Sequence, residues 1–270
     1  MKSPLVSSDW LLKNLSDPDL IILDASQQDN KAGLVSDSNK LQIIGARIFD
    51  IKNEFSATNS PFPNTLLSAE EFQEKCRELG IHNSSKLVVY DNLGVYTSPR
   101  VWWMFKIMGF ENIAVLDGGL PDWIANGYQV QEPVQVTIQY GNFKAKFDYT
   151  KVRDIDYLTE NLTLKEALVI DARSANRFNG ITPEPRKGLR SGHIPNSINI
   201  PFTEVLESGK FKTTKQLIEL FSGFNLQESP LVISCGSGIT ACIILLAADL
   251  VLQNDKALYD GSWTEWAQLS

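Results

Sequence analysis

Residues 231–252, LVISCGSGITACIILLAADLVL, decide how this chain is built. A β-branched run leads into one cysteine, a glycine-laced loop and then an apolar run of helical length, which reads as strand, tight loop and helix with Cys235 at the junction. Gly236 and Gly238 free the backbone for conformations that a Cβ resists, so successive N–H groups can turn inward around one point. A helix starting near Ile239 adds the positive end of its dipole there. Both effects favour the thiolate of Cys235, the nucleophilic form of the side chain.

What the loop lacks narrows its chemistry. A cysteine phosphatase needs an arginine after five intervening residues to clamp phosphoryl oxygens, and position 241 is Ala241. Neutral N–H groups together with the hydroxyls of Ser237 and Thr240 suit a singly charged sulfur anion such as a cysteine persulfide. Taken alone, the loop is equally well read as an ordinary turn beside a packed cysteine. The remainder of the chain separates the two.

The other half of the sequence repeats the same order of elements. LIILDAS matches ALVIDARS, GARIFDI matches GHIPNSINIPF, and SAEEFQEKCRELGI matches TTKQLIELFSGFNL. KLVVYDNLGVYTSPRVWWMFKIMGF then matches PLVISCGSGITACIILLAADLVL, and AVLDGGLPDWIANG matches ALYDGSWTEWAQ. Such an ordered correspondence marks a duplicated domain. Each copy alternates short strands with helical patterns, so each is expected to be an α/β unit with a mainly parallel sheet flanked by helices. The expected division is 1–130, an extended linker at 131–150, and 151–270. In the first copy Asp91 stands where the second has Cys235. A carboxylate does not carry sulfur, so 1–130 is expected to be catalytically silent and to form a wall of the site.

Composition excludes several classes of function. At 270 residues and a net charge of -7, with no block of lysine and arginine, the chain is not expected to bind nucleic acid. Its longest apolar run is broken by Asp249 and is too short for a membrane span, and MKSPLVSSDWLL lacks the apolar core of a secretory signal. Three cysteines without framework spacing fit a reducing compartment, and the expected location is cytoplasmic. Cys76 and Cys242 fall within helical patterns and read as core residues.

The CGSGIT loop, DGSW near the C-terminus, GHIPNSINIP and DARSANRFNGITPEPR, taken with the duplication, resemble the two-domain rhodanese-type sulfurtransferases over essentially the whole chain. In that family a Gly-Ser-Gly or Gly-Thr-Gly after the cysteine accompanies 3-mercaptopyruvate as sulfur donor, whereas basic residues there accompany thiosulfate. Gly236, Ser237 and Gly238 place this sequence with the former. The resemblance implies a tandem repeat of two rhodanese-like domains, with Cys235 and Ser237 catalytic. It also implies a substrate site formed by Arg177, Arg186, Gly236, Gly238, Ile239 and Thr240. Arg177 and Arg186 would hold the carboxylate and carbonyl of the keto acid, while Arg173 pairs near Asp171. No cofactor or metal is called for. The partners implied are a small-molecule sulfur donor and a thiol acceptor, either a thioredoxin-like protein or a low-molecular-weight thiol, or cyanide. Thiosulfate:cyanide transfer and a non-turnover persulfide carrier are the alternative readings.

Family members often carry an acidic residue and a histidine that relay protons to the loop serine; Lys52 and Asn64 stand at those places here. Asn64 does not titrate near neutrality, so either the relay is dispensable or the choice of substrate differs. His193, in GHIPNS, is expected to fix a turn.

Overall fold

The computed structural model describes residues 1–269 apart from 2, 31, 32, 37, 39, 135, 136, 225, 227 and 228. The chain divides into two compact units, one comprising Met1–Thr58, Leu66–Phe147 and Ser208–Lys210, the other Asn59–Thr65, Asp148–Glu207 and Phe211–Ser270.

The first unit is built on a five-stranded parallel sheet in the order Leu5–Val6, Ile113–Leu116, Lys86–Tyr90, Leu20–Asp24, Arg47–Ile48. The second has its own, in the order Val152–Arg153, Lys256–Tyr259, Leu231–Ser234, Leu168–Asp171, Ile198–Asn199. Element by element the two orders correspond, as the repeat in sequence requires. The central strands are buried along nearly their whole length, which is why they read as continuous β-branched runs rather than alternating ones.

Local signals fix the helices. Ser7 and Asp154 cap the first helix of each unit, Ser8–Asn14 and Ile155–Leu164, by accepting the N–H of Trp10 and Tyr157. Ser68 with Glu71 and Thr213 with Gln216 form matching capping boxes on the helices Ala69–Glu78 and Thr214–Ser222. The apolar cores centre on Ile22, Val88 and Trp123 in the first unit and on Val169, Val232 and Trp263 in the second. Burying an aliphatic side chain of this kind contributes about 1.5–3 kcal/mol. Residues 131–147, most of the expected linker, group with the first unit: Phe143 is buried edge-on against Phe72, Phe105 and Phe110, and its N–H donates to Ile81 O.

Candidate active site

Cys235 follows the strand Leu231–Ser234 directly, at the carboxyl end of a central parallel strand, and is buried at 2% exposure. The helix behind it, Ala241–Val251, starts two residues later than the apolar run alone indicates, with Thr240 as its N-cap. Cys242 and Ile243 donate back to the carbonyls of Ile239 and Thr240, closing a tight turn before the helix proper. The two loop glycines serve different ends. Gly238 has φ +78°, which calls for glycine on conformational grounds. Gly236 needs space instead: a Cβ there would stand 2.9 Å from Arg177 Nη2.

The loop is clamped from behind by the start of the helix Ser262–Leu269. The N–H groups of Cys235 and Gly238 both donate to Ser262 Oγ, at 3.2 and 3.1 Å, and that hydroxyl donates to Tyr259 O at 2.9 Å. Trp263 N–H reaches Cys235 O, and Thr264 places both its N–H and its Oγ1 on Gly236 O. Two of the N–H groups expected to face the sulfur are therefore held by Ser262. Sequence reasoning noted DGSW only as part of a resemblance and missed this role.

In the first unit Asp91 shows what a loop of this shape does with its amides. The carboxylate turns into its own loop, where Oδ2 accepts the N–H groups of Tyr96, Thr97 and Ser98 and the hydroxyl of Ser98 at 2.7–3.0 Å, while Oδ1 accepts Leu93 N–H. The loop is an anion cradle filled by its own side chain. Leu120 N–H donates to Asp91 O as Trp263 N–H does to Cys235 O, so the repeat extends to single hydrogen bonds.

The arginines converge on the Cys235 loop through a buried network. Arg173, fully buried, pairs with Asp171 and with Glu184 and lies over the Trp263 ring. Burial works against its charge, but the hydrogen bonds and charges of Asp171 and Glu184 prevail and raise its pKa. Glu184, its side chain 1% exposed, also holds Arg177 through Nε and Nη2 at 3.2 and 2.6 Å. Arg177 thus reaches Gly236 with its fork braced from one side, and Glu184 is a residue the sequence did not single out. Arg186 Nη2 donates to Ser237 Oγ at 2.9 Å.

Asn64 joins the same group. Its segment, Asn59–Thr65, belongs to the second unit, and its Nδ2 donates to Ser237 O and Oγ at 3.0 and 3.1 Å. Cys235, Gly236, Ser237, Arg177, Arg186 and Asn64 therefore meet in one place, with Gly238, Ile239 and Thr240 completing the loop. Lys52 is exposed on the first unit, its N–H on Asp50 Oδ1. His193 stacks on Phe178 and pairs through Nδ1 with Phe178 O, consistent with holding a turn. Cys76 and Cys242 are buried thiols outside any disulfide; burial raises the Cys76 thiol well above its ordinary pKa, and Cys242 Sγ lies against Gly238 O. Among the described residues there is no cluster of His, Cys, Asp and Glu placed to hold a metal ion, and no helix long and apolar enough to cross a membrane.

Comparison with known proteins adds to this geometry. A family model for the rhodanese-like domain matches residues 7–126 and again 154–269. The sequence is 39% identical over 269 residues to a 3-mercaptopyruvate sulfurtransferase of Escherichia coli K12, covering 97% of this chain and 94% of that protein. It is 38% identical over 273 residues to a thiosulfate sulfurtransferase of Cricetulus griseus, covering 97% and 91%. The crystal structure of SseA from E. coli, a 3-mercaptopyruvate sulfotransferase, superposes with a TM-score of 0.84 at 36% identity over 97% of this chain and 99% of that one.

Proposed function

This chain belongs to the rhodanese family, and we propose that it moves sulfur from 3-mercaptopyruvate to a thiol or cyanide through a persulfide on Cys235. The observation that carries this reading is the convergence of Arg177 and Arg186 on Gly236 and Ser237, in the loop that Cys235 opens. A small keto acid offers a carboxylate and a carbonyl to two permanently charged forks. Thiosulfate as donor is the second reading, supported by the named relative; the neutral residues after Cys235 favour the keto acid.

In the first half-reaction the Cys235 thiolate attacks the substrate sulfur. An S–S bond forms, the C–S bond breaks, and its electron pair passes to pyruvate as the enolate. The cysteine sulfur is oxidised, the carbon is reduced, and the proton of the substrate thiol ends on that carbon. Ser237 donates a hydrogen bond to the enolate oxygen, and the loop amides not taken by Ser262 face the anionic sulfur. A thiol, protein-borne or small, then removes the outer sulfur. Asp91 fills the corresponding cradle, so the domain at 1–130 is silent, with 131–150 joining it to the catalytic domain at 151–270. Three cysteines outside any disulfide fit a reducing compartment such as the cytoplasm.

Intact mass before and after 3-mercaptopyruvate, with pyruvate followed in parallel and Cys235→Ser as control, tests the cycle. One thiol-removable sulfur with pyruvate released is expected, and neither in the variant. Sulfur loaded from thiosulfate alone would move the assignment to the second reading.

A further inference from the structure

We infer that Asn64 is a positioning residue that fixes the direction of the Ser237 hydroxyl, so that Ser237 meets the substrate as a hydrogen-bond donor. The inference rests on the sulfur-transfer reading above. Ser237 Oγ accepts from Asn64 Nδ2 at 3.1 Å and from Arg186 Nη2 at 2.9 Å. A hydroxyl has two lone pairs and one proton; with both lone pairs engaged, its proton is left to donate. The orientation of the Asn64 amide follows from chemistry. The same Nδ2 lies 3.0 Å from Ser237 O, and a carbonyl only accepts, so the group facing the serine is the NH₂.

The backbone supports this placement at a cost. Asn64 sits at φ +61°, a left-handed conformation that asparagine tolerates better than most residues. Ser60 Oγ pairs with Thr65 Oγ1 and accepts Phe62 N–H, while Thr65 Oγ1 also reaches Phe62 O, so the chain on both sides of Asn64 is tied into one short loop. The charged groups around Ser237 are Arg186 and, beside Gly236, Arg177 with its partner Glu184. The guanidinium and the amide NH₂ only donate, so Ser237 is set as a donor by two groups neither of which is an imidazole.

Asn64→Asp reverses the polarity of this contact. A carboxylate accepts, so Ser237 would turn its proton toward residue 64 and away from the enolate. The rate of sulfur loading on Cys235 from 3-mercaptopyruvate at neutral pH is expected to fall about a hundredfold, the loss typical of one missing oxyanion donor. Loading from thiosulfate, whose departing sulfite takes up no proton, is expected to change little and also reports that the loop is intact. Lowering the pH until the introduced carboxyl is protonated is expected to restore part of the loss. Asn64→Ala, which removes a donor without adding an acceptor, is expected to lose less, about tenfold. In a Ser237→Ala background neither substitution should have a further effect. Equal losses with both donors, or full additivity with Ser237→Ala, would overturn the assignment. A wild-type protein that loads only from thiosulfate would overturn the parent reading and this inference with it.

Discussion

Ser262 sits at φ +52°, fully buried, in a conformation that serine rarely adopts. Its counterpart in the repeat is Gly119, at the same φ of +52°. A residue retained there against backbone preference is held by what its side chain does, and Ser262 Oγ takes the N–H groups of both Cys235 and Gly238. Losing the hydroxyl leaves two buried donors unmatched, at about 1–3 kcal/mol each where water does not replace it. Replacing serine by alanine keeps the left-handed strain of about 1–2 kcal/mol, whereas glycine releases it. Ser262→Gly is therefore expected to melt above Ser262→Ala, the reverse of the order in a helix interior, with both below wild type. Both variants should load sulfur on Cys235 at least tenfold more slowly, because the loop is no longer drawn back. Thermal unfolding alongside sulfur-loading rates checks the order, and alanine melting above glycine would refute the argument.

The strand ends that carry the first unit's loops are tied by a polar chain: Tyr90 Oη accepts Ile43 N–H at 3.0 Å and donates to Asp24 Oδ2 at 2.8 Å. Burial raises the pKa of Asp24; the hydrogen bonds from Ser26 and Tyr90 oppose it, and the nearby Asp91 charge adds to it. Because the folded state then binds the proton more tightly than the unfolded chain does, stability falls as pH rises from the ordinary aspartate range through the raised value. Asp24→Asn carries no such penalty. The stability of the variant relative to wild type should therefore be greater at neutral pH than at a pH near the ordinary aspartate value. Urea unfolding at the two pH values measures it; a difference independent of pH would be incompatible with the raised pKa. Elements of this kind differ in how far the sequence announces them. LIILD, LVVY and LVIS declare themselves as buried strands by β-branched content, and the two capping boxes by their spacing. The edge strands Leu5–Val6, Arg47–Ile48, Val152–Arg153 and Ile198–Asn199 span two residues each, too few to show a period, and exist because a neighbour pairs with them. The site divides in the same way. Cys235, Ser237 and the arginine loop lie on local motifs, whereas Glu184, Ser262 and the contact of Asn64 with Ser237 depend on chain separations of 7, 27 and 173 residues that no local pattern records.

At the scale of the whole molecule, duplication has left two cradles of one design with opposite contents. In one the loop opens on Cys235, buried at 2% exposure; in the other, the Asp91 carboxylate turns into the loop, gathering four loop N–H groups and a hydroxyl. Placing a cysteine at position 91 tests whether the cradle suffices for sulfur transfer or whether the surrounding charge is needed. The second unit places Arg177 and Arg186 against its loop, while residues 26–41, the stretch that follows the matching strand in the first unit, contain no arginine. The side chain of Ser262 is also missing there, since Gly119 stands in its place and a Cβ on it would come within 2.4 Å of Asp91 O. Asp91→Cys is therefore expected to gain no second persulfide: intact mass after 3-mercaptopyruvate should show one added sulfur, abolished by a further Cys235→Ser change. The same substitution strips several buried amides of their acceptor, so the first unit should lose roughly 3 kcal/mol or more and unfold before the second. Two added sulfurs in Asp91→Cys would show that the loop alone confers the activity and that the arginines serve only to choose the donor.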